Sequence, residues 1–480
     1  MPKPKDKVPS RGKQRVLIIG AGEAGTMIGR EIVGYPEGIY DLVGFLDDKG
    51  EKWDTTICDR KVLGSIERLP QVVKDEHIDE VLITIPSASG NLIRQISDLC
   101  DLVKVKYRIL PGVFAIIYGD AHIHQIRDVE VEDLLKRDPI NLDLESISSS
   151  ILNKRLLITG AGGSIGSELC RQIAGFGPEF LVLLGHGETS IYNIELELKL
   201  TYHHPSITPV IGDIRDLNKL RSIFAEYRPH IVFHTAAHKH IDLMEANPEE
   251  SVKNNIMGTR NLAQLAGEFG VERFVFISTD KAVKPVCIMG ATKKIAELIV
   301  YMANEKYPET SFITVRFGNV LGSRGSVVEI FKHQLESDEP LTITHPDMQR
   351  YFMTIFEAVQ LVIQAAAIGQ GGDILILDMG EQVKIIDLAH DLIRLSGRVV
   401  ESANIKYVGI RKGERLREEL FNENEQLIPT PIKEIKMVRP EPFNHLKVNR
   451  LVDKIITCAQ AMEIDAMLAH IKELVPTYQG

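Results

Sequence analysis

The sequence predicts an α/β protein made of two Rossmann-like, doubly wound units. Three observations carry this. Two stretches read as strand, glycine turn and helix: RVLII followed by GAGEAG at 15–25, and RLLI followed by TGAGGSIG at 155–166. Short apolar runs rich in β-branched and aromatic residues recur, among them VLITI at 81–85 and RFVFI at 273–277, as buried parallel strands do. Polar residues gather where such runs stop, which is where open α/β sheets bind their ligands.

With 480 residues the chain is long enough for two or more domains with ample cores. Its net charge of −10 argues against nucleic acid as a partner. No apolar run reaches the roughly 20 residues of a membrane span. The opening MPKPKDKVPSRGKQR is basic and polar, without the apolar core of a signal peptide, so residues 1–12 read as a flexible leader. The cysteines Cys58, Cys100, Cys170, Cys287 and Cys458 are scattered and without paired spacing. That points to a reducing cytoplasm and to no metal or disulfide frame. Cys287 reads as a small core residue.

The first unit is expected over 13–138. Its strand at 15–19 leads into Gly20, Gly22 and Gly25, a helix carrying 27–32, and a second strand at 42–46 that ends in Asp47 and Asp48. Glycine lets a phosphate approach a helix N-terminus, so the pattern suits a dinucleotide. A structural or regulatory unit without ligand is the reading favoured over an occupied nucleotide site. Asp138-Pro139 marks the boundary, and the Ser-rich 141–153 serves as a lead-in.

The second unit takes 139–480. After the strand at 155–158 come Thr159, Gly160, Gly163, Ser164, Ile165 and Gly166, then a helix at 167–173 whose amides would face a pyrophosphate. At the end of the next strand, 180–184, Gly185 stands where an acid commonly binds the adenosine ribose, and Glu188 is a possible substitute. No arginine occupies that turn, which favours NAD without excluding NADP. The strand at 231–234 ends in TAAHKH. Its alternating His234, His238 and His240 lack neighbouring carboxylates, so no metal is expected.

Residues 278–294, STDKAVKPVCIMGATKK, organise the rest. Ser278, Thr279, Asp280 and Lys281 arrive together at a strand end, Pro285 breaks the chain, and a helix starts near Met289. Met289 and Lys293 share one helix face. This arrangement resembles the extended short-chain dehydrogenase/reductases, which use a hydroxyl residue at a strand end and Tyr-x-x-x-Lys on the next helix. Met289 takes the tyrosine position here. With Thr-Asp-Lys before it, the chain resembles the large UDP-N-acetylglucosamine 4,6-dehydratases of bacterial polysaccharide and bacillosamine pathways.

The resemblance implies an extended short-chain dehydrogenase/reductase fold with a small C-terminal substrate subdomain. It places Asp213 and Ile214 at the adenine, Thr235, Ala236 and Ala237 beside the cofactor, and Lys239 as a polar contact. Ile277 and Ser278 would line the same site. Asn255 would be the structural asparagine that holds Lys293 through water, and Lys293 would bind the nicotinamide ribose. In FGNVLGSRGSVV, Asn319, Val327 and Thr344 further on would meet the sugar nucleotide, with Ser323 and Arg324 at the cofactor–substrate boundary. Arg411 and Glu414, in GIRKGERLREEL, would contact the uridine nucleotide. Arg350 suits a bidentate phosphate bond, or else a surface ion pair. Superfamily members dimerise through the helices flanking the site, here 249–269 and 289–305, so a homo-oligomer, at least a dimer, is expected. The expected location is the cytoplasm, although relatives are often anchored at the inner face of the membrane. The tail ends in a helix at 459–474.

A 4,6-dehydratase oxidises C4 of a UDP-sugar, removes water across C5 and C6, and returns the hydride to C6. Lys281 is the expected C5 base and Asp280 the C6 acid, with Thr279 orienting the C4 hydroxyl, whose proton passes to Asp280 or through water to Lys293. Met289 cannot take a proton, because a thioether is a weak acceptor. A neutral Lys281 needs its pKa lowered by about two units, equivalent to about 3 kcal/mol. Two other readings share parts of the pattern. A 4-epimerase would keep the tyrosine and lack Asp280-Lys281. A non-catalytic NAD or nucleotide-sugar sensor would have no need of Asp280, Lys281 and Lys293.

Overall fold

A computed structural model describes residues 13–35, 37–111, 122–135, 142–202, 206–398, 400, 404–440 and 442–478. The chain divides into two compact units, 1–139 and 140–480. The leader at 1–12 and the Asp138-Pro139 boundary lie outside the described residues.

In the first unit β1 (Gln14–Ile19), α1 (Glu23–Gly34), β2 (Tyr40–Leu46), β3 (Glu80–Ile83), α2 (Gly90–Val103), β4 (Lys106–Ile109) and β5 (Arg127–Asp128) build one sheet. Its order is β2-β1-β3-β4-β5, parallel except at β5. Val16, Ile18, Phe45 and Leu82 form the core beneath α1. Asp47, the acid of the fingerprint, accepts from the Ala21 amide at 2.8 Å and from Lys52 Nζ at 2.9 Å. It closes onto the glycine turn of its own unit.

The second unit opens with α3 (Leu144–Ile151), where a lead-in was expected. Asp143 caps it by accepting from Ser146 N, and Ile147 and Ile151, four apart, are buried. The main elements then run β6 (Arg155–Thr159), α4 (Ser164–Ala174), β7 (Phe180–Gly185), α5 (Glu188–Thr201), β8 (Ser206–Ile211), α6 (Leu217–Tyr227), β9 (Ile231–His234), α7 (Thr259–Glu268), β10 (Arg273–Thr279), α8 (Ile288–Lys306), β11 (Ser311–Phe317), β12 (Asn319–Leu321), α9 (Val327–Glu336), β13 (Gln349–Thr354), α10 (Ile355–Ile368), β14 (Ile374–Leu377), β15 (Gln382–Lys384), β16 (Ile428–Pro429), β17 (Ile435–Val438), α11 (His445–Ala461) and α12 (Ile464–Leu474). Among the described residues the large sheet has the order β8-β7-β6-β9-β10-β11-β14-β17-β16. It is parallel through β14 and antiparallel beyond.

The chain winds outward from β6 to β8 and returns to β9. That reversal opens a crevice at the carboxyl ends of β6 and β9. Alternate residues of each strand enter opposite cores. Leu156, Ile158 and Phe233 face one helical layer, while Leu157, Val232, Phe274 and Phe276 face the other. A smaller three-stranded sheet has the order β12-β13-β15.

One expectation is corrected here. The tail holds two helices, broken at Met462, whose φ of +60° ends α11 in a left-handed cap. Val448, Val452, Ile455, Ala459, Met467 and Ile471 share one apolar cluster with Val252, Ile256, Ile288, Ile295 and Ile299, so these helices pack on the start of α8 and the turn before α7.

Candidate active site

The crevice is lined first by the glycine turn after β6. Gly160 has a φ of +67°, and a Cβ there would lie 2.8 Å from the Ala236 backbone. A Cβ on Gly166 would press into the Gly160 carbonyl oxygen, so only glycine lets α4 start this close to the strand. The helix begins at Ser164, one turn before the predicted start, and no side chain caps its first amides. Ile165 follows within that first turn, partly buried against the large core. A narrow turn with free helix amides fits the pyrophosphate of a dinucleotide.

Around that turn, Thr235 donates to the Thr159 carbonyl at 2.7 Å, and the Ala236 amide lies 3.4 Å from Thr159 Oγ1. Ala237 and Lys239 are exposed residues; desolvation of the ammonium, helped by Arg324 and opposed by Glu329, shifts Lys239 below its usual range. His234 is buried and bridges Thr159 Oγ1 and Thr259 Oγ1 at 2.9 Å each. Burial holds this imidazole well below its ordinary pKa, hence neutral and structural. No cluster of potential metal ligands exists among the described residues. Asp213 is gripped by Arg215, whose hydrogen bonds pull its carboxyl below the usual range, and Arg215 also reaches Glu250. Ile214 turns its side chain into the core against Gly258.

Asn255 sits in a π-helical turn, Val252–Gly258. It exchanges hydrogen bonds with the backbone of His238 and donates to Thr292 Oγ1 at 3.2 Å. It therefore braces the residue beside Lys293.

β10 runs two residues beyond its predicted end and carries Ser278 and Thr279 to the rim of the sheet. Thr279 donates to Asp280 Oδ1 at 2.8 Å, and Lys281 Nζ donates to the same oxygen at 3.0 Å. Asp280 is wholly buried, and its Oδ2 has no hydrogen-bond partner among the described residues. Lys281 also donates to Asn319 Oδ1 at 2.9 Å and lies 3.6 Å from Glu418 Oε1. Burial alone would lower the Lys281 pKa, but Asp280 and Glu418 outweigh it and raise it. This reverses the sequence-based requirement for a depressed value: in this state the lysine is held as an ammonium.

On α8, Met289 is buried in the cluster covered by the tail, and Gly290 touches the Lys281 carbonyl so closely that a Cβ would collide with it. Cys287 caps the helix, its Sγ accepting from Gly290 N at 3.3 Å. Lys293 donates to the Ile277 carbonyl at 2.7 Å and lies 4.0 Å from the Phe276 ring centroid. Burial pushes its pKa down to about 7, against an opposing pull from Glu297.

A buried ion network below the site went unread in the sequence. Ser278 donates to Glu297 Oε1 at 2.6 Å, and Arg316 binds both Glu297 oxygens and reaches Glu425. Burial would raise the Glu297 pKa, yet Arg316 and Lys294 hold it down at about 2. The available signals were a glutamate four residues after Lys293 and an arginine within an apolar strand.

The substrate-side residues divide. Asn319 joins Lys281. Arg324 reaches back to the glycine turn, its guanidinium donating to the Gly162 carbonyl and its amide to Ser164 Oγ at 3.2 Å. Ser323 is buried beside it, and Val327 opens α9. Thr344 is half-buried just after a short strand, Leu341–Ile343. Arg350 donates to the carbonyls of Gln349 and Arg415, both at 2.7 Å, and lies 3.7 Å from Glu418. It is buried, and so is not the surface ion pair that the sequence also allowed. Arg411 and Glu414 bind each other, and Arg411 also holds Asp242 at 2.8 Å.

Comparison with known proteins matches residues 156–440 to the family described as polysaccharide biosynthesis protein, and residues 6–111 to the CoA-binding domain. The capsular polysaccharide biosynthesis protein CapD of Staphylococcus aureus is 46% identical, covering 92% of this chain and 74% of that protein. A UDP-N-acetylglucosamine 4,6-dehydratase (inverting) of Campylobacter jejuni is 31% identical over 63% of this chain and 89% of its own. Among solved structures, Pen from Bacillus thuringiensis matches with a TM-score of 0.56 and 32% identity, covering 61% of this chain and 90% of that one.

Proposed function

The chain belongs to the polysaccharide biosynthesis protein family, within the extended short-chain dehydrogenase/reductases that work on nucleotide sugars, and from that premise we propose that it is an NAD-dependent UDP-N-acetylglucosamine 4,6-dehydratase. One observation carries the reading: Thr279, Asp280, Lys281 and Asn319 form a single hydrogen-bonded chain at the carboxyl end of β10. An epimerase has no use for an acid and an amine so joined.

Bound NAD supplies acceptance of the C4 hydride and its return to C6. The glycine turn and the first amides of α4 would hold its pyrophosphate, and Lys293 its nicotinamide ribose. Thr279, already donating to Asp280, takes the C4 hydroxyl proton and passes its own to Asp280. Asp280 then protonates the C6 hydroxyl, which departs as water. Lys281 removes the C5 proton, made acidic by the neighbouring ketone, and the resulting ammonium, whose other N–H positions carry solvent hydrogen, delivers a proton to C5 after C6 has been reduced. To act as that base Lys281 must first release its ammonium proton to solvent. Protonation of Asp280 favours this, because it cancels the first of the two negative charges that hold the proton. Met289 takes no part in proton transfer. By likeness to the Met-containing group, configuration at C5 is retained.

Incubation of the purified protein with UDP-N-acetylglucosamine in deuterated water tests the proposal. A 4-keto-6-deoxy product labelled at C5 supports it. Formation of UDP-N-acetylgalactosamine would instead mean an epimerase, and an unchanged substrate a sensor.

A further inference from the structure

We propose that Glu418 is a positioning residue of this site, which decides when Lys281 can part with its proton. The inference rests on the dehydratase reading for its consequence in catalysis, but its physical basis is independent of it. Glu418 is 5% exposed, in a segment whose neighbours are mostly open to solvent. A carboxylate is rarely buried without a cationic partner. Here one oxygen, Oε1, faces two cations, Lys281 Nζ at 3.6 Å and Arg350 Nε at 3.7 Å.

The carboxylate is also held firmly. The Glu418 carbonyl accepts from Gln382 Nε2 at 2.8 Å, which ties the segment to β15. Arg350, on β13, donates to the Arg415 carbonyl and so clamps the same segment three residues earlier. Lys281 therefore meets three partners from three parts of the chain: Asp280 beside it, Asn319 on β12 and Glu418 here. Asn319 is neutral and Asp280 is consumed by the C4 proton. Glu418 is then the negative charge that still opposes deprotonation of the lysine. Arg411 and Glu414, expected at the uridine nucleotide, lie on this same segment.

The experiment compares wild-type protein with Glu418→Gln and Glu418→Asp. A ¹⁵N-lysine NMR titration, with the Lys281 signal assigned by its loss in Lys281→Met, reads the proton directly. The pKa of Lys281 is expected to fall by about one unit in Glu418→Gln and to stay near wild type in Glu418→Asp. In the kcat/KM profile, the limb along which activity rises with pH should move down by the same interval. Thermal melting confirms that each variant is folded. An unmoved Lys281 titration in folded Glu418→Gln overturns the inference, even where kcat falls, because a merely structural role lowers rate without moving the titration. Should wild type give no 4-keto product, the dehydratase reading fails, while the NMR titration still decides the role of Glu418.

Discussion

Lys293 Nζ donates to the carbonyl oxygen of Ile277 at 2.7 Å, across the gap between α8 and the end of β10. This bond fixes the lysine at the rim where Thr279, Asp280 and Lys281 emerge. It also buries an ammonium whose pKa falls from 10.5 to about 7.

That shift has a stability consequence. Between the folded value of about 7 and the unfolded value of 10.5, the unfolded chain binds more protons, so stability rises with pH across this window. The burial cost is fully present below about 7 and fades toward 10.5. Lys293→Met is therefore expected to be inactive yet more stable than wild type at pH 6, by on the order of 3 kcal/mol. Urea denaturation at several pH values should show the margin shrinking as pH rises; a constant margin would mean that the lysine is not a buried cation.

The Arg316 guanidinium is wholly buried between Glu297 and Glu425. Arg316→Met leaves two buried carboxylates facing each other and is expected to cost about 3–5 kcal/mol. Glu297, held down at about 2 from 4.5, contributes stability that is present above 4.5 and lost as pH falls toward 2. Loss of Arg316 should flatten that acid limb, and denaturant titrations between these pH values would read it. Adding Glu297→Gln should recover part of the loss.

Gly290 permits contact between α8 and the Lys281 carbonyl. Gly290→Ala must push the two apart, displacing Lys281 and leaving the glycine turn at 160–166 untouched. The expected result is a fall in kcat of about 100-fold or more with NAD binding retained. Parallel loss of both would show that the substitution unfolds the site.

Met289 is packed among Ile288, Ile295 and the tail helices. Met289→Tyr restores the phenol that related enzymes use, but adds volume to a filled core. No rise in rate is expected, with a stability loss of about 1–3 kcal/mol. A large rise in rate would show that the route through Thr279 and Asp280 is not the working one.

Much of the fold and half of the site were legible along the chain. Both glycine turns, the strands at 155–158 and 273–277, and the cluster from Ser278 to Lys293 follow from patterns only a few residues long. Strand alternation, turn chemistry and helical spacing are local properties, so they survive in a one-dimensional reading. The helix at 144–151 was missed because its serines outweighed two apolar residues at the right spacing.

What only the tertiary structure decided is who neutralises whom. Lys281 was expected to be a depressed base; Glu418, far along the chain, joins Asp280 to make it an ammonium. The Glu297–Arg316–Glu425 network and the covering of α8 by α11 and α12 have the same origin. A side chain's charge and exposure depend on distances of a few ångströms between segments remote in sequence, and those distances exist only after the helices have docked on the sheet.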